Sequence, residues 1–199
     1  MTRYISAAVI FFGASVAQAE DTRQLGAHEH GVGQLNIAID AQQIAIELHA
    51  PGADIVGFEY AAQSSEDRAA VDDAVARLAR PLDLFGFPEA AACGVVEARA
   101  SLEIEGEHDD HKDDGHDHAA HKHDDHDHGA AAQEAGHSEF HAEYVLTCAD
   151  PAQATLVTFA YFDAFPNAQE LEVQLITDRG ATAAKVTKDA PVLDLRELF

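Results

Sequence analysis

The chain has 199 residues, 47% of them hydrophobic and 7% aromatic, with 36 acidic against 12 basic side chains and a formal net charge of −24. That length suits one modest domain. The charge excludes nucleic acid as a partner, because an acidic surface repels phosphate backbones and anionic lipid headgroups while concentrating cations.

The first residues read as an export signal. Arg3 supplies the positive start, Ile5 to Phe12 a short apolar run, and Ala17-Gln18-Ala19 an A-x-A site, so cleavage between Ala19 and Glu20 is expected. The apolar run is too short to span a bilayer, and the residue after the cut is Glu rather than Cys. No membrane or lipid anchor is therefore expected. The expected organisation is a signal peptide over 1–19 and one domain over 20–199, interrupted by a loop at 106–137.

From Val32 to Asp40 apolar Leu35, Ile37 and Ile39 alternate with Gln34, Asn36 and Ala38, and Ile44, Ile46 and Leu48 continue the pattern. Pairing Ile39 with Ile44, Ile37 with Ile46 and Leu35 with Leu48 keeps one register around Ala41-Gln42, which predicts a β-hairpin. His49 then faces away from the core with Gln34. If the first strand continues backwards, His28 and His30 join that face, and the three histidines form a compact metal-ligating set. The plainer alternative leaves His28 and His30 in a frayed terminus and His49 on the surface.

Pro51-Gly52-Ala53-Asp54 is a turn signal, followed by an apolar cluster of Ile55, Val56 and Phe58. A helix follows, capped by Ser64 or Ser65, with Glu66 and Asp67 at its positive end. Val71, Ala74, Val75 and Leu78 recur at helical spacing until Arg80-Pro81 ends it. Leu82, Leu84, Phe85 and Phe87 add core material around Gly86 and Pro88, with a helical turn as one reading, and no chemistry is assigned to this region.

Val96, Ala98, Ala100, Leu102 and Ile104 alternate with polar residues, as do Phe140, Ala142, Tyr144 and Leu146. These two strands form a second hairpin, whose outer face collects Glu97, Glu103, Glu105, Glu139, His141 and Glu143. Its even register sets Cys148 opposite Gly94, so a Cys93–Cys148 bridge needs a bulge or an offset at the strand ends. A bridge is the default for two cysteines in an exported chain. Leu156–Phe162 and Leu171–Thr177 read as strands, and Asp178-Arg179-Gly180 turns into a weak last strand around Lys185–Thr187.

The second hairpin's loop carries the chain's strongest signal. Residues 108–128 hold eight histidines, His108, His111, His116, His118, His121, His123, His126 and His128, eight aspartates and two lysines in twenty-one positions. Such composition builds no core and predicts a disordered loop. Near neutral pH most of the imidazoles are uncharged and offer a lone pair, and the aspartates add oxygen donors and a negative field. Several exchangeable tetrahedral sites follow, with His137 and His141 extending the set onto the stem. A plain acidic spacer and a pH sensor are the alternatives. The tract does not choose among Zn²⁺, Ni²⁺ and Cu²⁺. No HExxH helix, G-x-S-x-G elbow or phosphate-cradling glycine loop is present, which argues against a metallohydrolase.

At Ala27-His28-Glu29-His30-Gly31 and Glu47-Leu48-His49-Ala50-Pro51-Gly52-Ala53-Asp54-Ile55-Val56-Gly57-Phe58-Glu59, the sequence resembles the ZrgA-type periplasmic zinc-uptake proteins of Gram-negative bacteria. The resemblance takes in the His/Asp-rich insertion, the two cysteines and Phe162-Asp163-Ala164-Phe165-Pro166. It implies a zinc-binding protein rather than an enzyme, working in the periplasm beside a zinc ABC transporter or its substrate-binding component. His28, His30 and His49 fall within its motifs, whereas the family's usual histidine after Phe-Glu is Tyr60 here. The competing reading is a metal buffer or resistance protein for nickel or copper. The expected fold class is α+β, mainly antiparallel sheet, with one prominent helix and the His/Asp-rich loop on a hairpin.

Overall fold

The computed structural model describes residues 29–104 and 137–196. The signal peptide with its Ala19/Glu20 cut, His28, and the tract from His108 to His128 lie outside the described residues.

The first hairpin forms in the expected register, β1 (Val32–Asp40) against β2 (Gln43–Pro51), with Ile37 opposite Ile46 and Gln34 opposite His49. The second hairpin pairs β4 (Cys93–Ile104) with β5 (Ser138–Cys148). With β3 (Phe85–Gly86), β6 (Leu156–Phe159), β7 (Glu170–Thr177), β8 (Gly180–Thr187) and β9 (Val192–Asp194) the described residues form two sheets. The larger runs β4-β5-β2-β1-β7-β8 and the smaller β3-β6-β9. All pairings are antiparallel except β1 with β7, which is parallel. The antiparallel-rich α+β class agrees with the sequence reading.

One face of the large sheet builds the core. Leu35, Ile37, Ile46, Leu48, Phe140, Tyr144, Leu146, Leu171 and Val173 are buried there in one cluster with Phe85, Phe159, Tyr161 and Phe165. Burying a side chain of this size contributes about 1.5–3 kcal/mol. The long helix α2 (Ser65–Leu78) adds Ala74 and Leu78 to the same cluster. Its start is a capping box: Asp67 N donates to Ser64 Oγ at 2.9 Å, and Ser64 N donates to Asp67 Oδ2 at 3.2 Å. No helix among the described residues is long and apolar enough to cross a membrane.

The helical turn expected around Leu82 and Leu84 forms as α3, Pro81–Leu84. Three details depart from the sequence reading. Pro51-Gly52-Ala53-Asp54 does not simply turn; Gly52–Ile55 forms a one-turn helix, α1. A Cβ on Gly52 would meet Phe58 O at 2.7 Å, so the residue must be glycine to let α1 close against the following loop. The strand expected over Leu156–Phe162 stops at Phe159, and α4 (Tyr161–Ala164) takes over, turning Tyr161 and Phe162 inward. Finally, Val96 is 61% exposed instead of facing the core, because a bulge between Val95 and Glu97 shifts the register of β4.

That bulge resolves the cysteine mismatch. Ala98 still opposes Tyr144, but below the bulge Cys93 opposes Cys148, and the two form a disulfide. The bridge closes a loop with a sequence separation of 55, for which the chain-entropy model assigns roughly 4 kcal/mol. Cys93→Ser with Cys148→Ser is expected to lower the unfolding free energy by up to that amount, read as a lower urea midpoint, with no loss for the oxidised wild type.

Candidate metal centre

The pairing of β2 with β5 joins the two hairpins side by side and brings together side chains some ninety positions apart in sequence. His49 lies directly opposite His141, and Pro51 opposite Glu139. Because directly opposed residues share a face, His49, Glu139 and His141 stand on the side of the sheet away from the core. β4 adds Ser101 opposite His141 and Glu103 opposite Glu139. One step along, Glu143 opposes both Glu47 and Arg99.

His49, Glu139 and His141 converge, their ligand atoms all within 4.8 Å of one another. His141 Nε2 is 2.6 Å and His49 Nδ1 3.5 Å from Glu139 Oε2, and the two rings pack edge-on with centroids 4.2 Å apart. The other nitrogen of His49, Nε2, reaches Glu47 Oε1 at 3.1 Å. Asn36 Nδ2 donates to Glu47 Oε2 at 3.2 Å, which holds that carboxylate in place. Glu103 approaches His141 Nε2 from β4 at 3.5 Å.

The electrostatics favour a cation. The Glu139 side chain is only 8% exposed, and burial of a carboxylate is costly unless positive charge or hydrogen bonds compensate. The hydrogen bond that His49 donates to Glu139 raises the His49 pKa above its ordinary value, outweighing the burial that pulls it down, and Glu47 adds to the rise. His141 Nε2 is buried and forms a close ion pair with Glu139. Two imidazoles and one carboxylate are a donor set that tetrahedral Zn²⁺ accepts with one position left for water or another ligand, and Glu47 beside His49 matches the outer carboxylate that orients metal-bound imidazole. A groove of about 600 Å³, walled in part by Glu47, Glu103, His141 and Glu143, gives access.

The expected set of His28, His30 and His49 is divided. His49 joins His141 and Glu139, whereas His30 sits in the turn before β1 with Nε2 3.0 Å from Glu59 Oε1. His137, just before β5, places Nδ1 2.8 Å from Glu59 Oε2. Stem residue His141, on the outer face as expected, stands beside His49 and Glu139. Glu139 was read among the acids of an outer face that could extend the metal surface, whereas Asp54 and Glu59 lay within a region given no chemistry. The available signal was the presence of Asp54 and Glu59 in the otherwise apolar run from Pro51 to Glu59.

The family model described as ZrgA family zinc uptake protein matches residues 27–195. No curated protein matches the chain. A chain lacking residues 108–128 is expected to keep one tight zinc site in calorimetric titration. His49→Ala with His141→Ala should weaken that site by more than about 100-fold, since loss of an outer partner alone costs about 10–100-fold.

Proposed function

The chain belongs to the ZrgA family of zinc uptake proteins, and on that premise we propose that it is a periplasmic carrier that captures Zn²⁺ and supports its delivery to a zinc ABC transporter. The observation that carries this reading is the convergence of His49, Glu139 and His141 on the outer face of the sheet. The disulfide fits an oxidising compartment outside the cytoplasm.

Capture proceeds by charge and then by donor chemistry. The net charge of −24 raises the local concentration of cations around the chain. The eight histidines and eight aspartates of residues 108–128 supply many weak, exchangeable donors. This stretch leaves the sheet after Ile104 and rejoins it before Ser138, two residues that pair with each other beside Glu103 and Glu139. Ions gathered by the tract are thereby released next to the histidine centre, where the ligands are positioned by paired strands and hold the ion more firmly. The carboxylates of Glu103 and Glu143 beside the centre compete for the ion and favour its handover to the transporter or its substrate-binding component. Binding and release, with no bond made or broken in a substrate, make this a carrier and not an enzyme.

Imidazole and carboxylate donors also suit nickel and copper, so a buffering role for those metals is the second reading. Growth under zinc chelation separates the two. Cells lacking the protein should grow and accumulate labelled zinc more slowly, with rescue by the wild-type chain and by added zinc but not by the His49→Ala, His141→Ala variant. Normal zinc accumulation together with hypersensitivity to excess nickel or copper would instead support the buffering role.

A further inference from the structure

Every described helix sends a buried residue into the core cluster: Ile55 from α1, Leu78 from α2, Leu84 from α3 and Phe162 from α4. On the opposite face of the large sheet the strand registers line side chains up in rows. His49 and His141 share one row, and Gln174, Asn36, Glu47, Glu143 and Arg99 form the next. The row after that is apolar. Ala181 opposes Ile176, Ile176 opposes Ala38, Ala38 opposes Ala45, and Ala45 opposes Val145.

Single apolar side chains scattered on a surface are ordinary, whereas a contiguous run of them marks an interaction site. With neighbouring strands about 4.8 Å apart, this run crosses β8, β7, β1, β2 and β5 over about 20 Å. Ile176 is 57% exposed. Alanine at 38 and 45 keeps the floor low between the larger Ile176 and Val145, and the result is a groove of about 620 Å³ bordered by Glu47, Glu97 and Glu143.

Charge selects what fits there. Among the strand residues of this face only Arg99 and Lys185 are permanently cationic. Both are paired within the face, Arg99 with Glu97 and Lys185 with Glu170 and Glu172. The rim is therefore acidic, and the net charge of −24 sets a second copy of the chain against it, because like charges across an interface are costly. The area argues the same way. A strip about 20 Å long and about 10 Å wide is well below the roughly 800 Å² per partner of a stable complex. A brief, charge-steered contact with a basic partner suits both the size and the rim.

We propose that this groove docks the protein to which zinc is passed, and that this protein presents an apolar ridge flanked by lysine or arginine side chains. The inference rests on the reading of the chain as a zinc carrier and assigns that reading a face. Only the row of Glu47 and Glu143 separates the apolar row from His49 and His141, a distance of about 13 Å along the strands. A partner seated in the groove is thus beside the histidine centre while its cations meet the intervening carboxylates.

The test uses the full oxidised, zinc-loaded chain and the purified substrate-binding component of the zinc ABC transporter from the same cell. Surface plasmon resonance gives the Kd of the complex at low and raised NaCl, and zinc passage is followed into the metal-stripped component. Ile176→Gln and Ala45→Arg change exposed positions. Each is expected to raise the Kd about tenfold or more and to slow zinc passage in step, with the chain's own zinc affinity unchanged in calorimetry. Asp73→Ala alters the net charge by as much as Ala45→Arg but lies on α2, and it should match wild type in both readouts. Added NaCl should weaken the wild-type complex. Wild-type Kd and zinc passage in both groove variants would overturn the groove and leave the carrier reading standing. A wild-type chain that neither binds nor loads the component would count against the carrier reading and the groove together. Self-association of the wild type in analytical ultracentrifugation, lost in Ile176→Gln, would make a second copy the occupant and overturn the proposal as well.

Discussion

The adjacency of β2 and β5 is the constraint on which the rest of this molecule depends. Each strand already has a hairpin partner, β1 and β4 respectively, and each hairpin alone would carry one histidine on a polar face. When they pair, His49 comes opposite His141 and Glu139 is drawn into a nearly buried position beside both rings. The core side enforces this register. Leu48 meets Ala142 and Ile46 meets Tyr144 on the buried face, and a slip by one residue would turn each apolar set toward water and carry the histidines inward. The candidate metal centre is held in place by the hydrophobic pattern on the other side of the same strands.

Much of this was legible in the sequence, because alternation and local turns are local properties. The β1–β2 register followed from Leu35, Ile37 and Ile39 matched to Leu48, Ile46 and Ile44. The stem of the second hairpin followed from its even-numbered apolar residues, and the cysteine mismatch itself required a bulge or a strand-end offset, of which the bulge occurs, between Val95 and Glu97. The pairing of β2 with β5 and the parallel pairing of β1 with β7 join segments distant in sequence, and no turn residue encodes such a partnership. For that reason His49 could be grouped with its sequence neighbours His28 and His30 but not with His141. Glu139 looked like one more exposed acid on a strand, since its burial comes from strands and a loop that meet only in the folded chain.

The acidic residues divide into two kinds once the fold is known. Some are solvent-facing and serve the overall field, such as Asp72 and Asp73 on α2. Others are held at distances where they act individually: Glu139 between two imidazoles, Glu47 on the far nitrogen of His49, and Glu59 between His30 and His137. Burial opposes the ionised form of Glu59, yet hydrogen bonds with His137 and His30 keep its pKa below the ordinary value. These carboxylates are the part of the negative charge that confers selectivity for position, whereas the remainder confers attraction without position.

The most direct test of the histidine centre is anomalous scattering at the zinc absorption edge from crystals of the zinc-loaded chain. A peak within about 2.0–2.2 Å of donor atoms from His49, Glu139 and His141 is the predicted result. Zinc ordered elsewhere on the chain, with His49, Glu139 and His141 left without a peak, would contradict the assignment of this centre as the firm binding position.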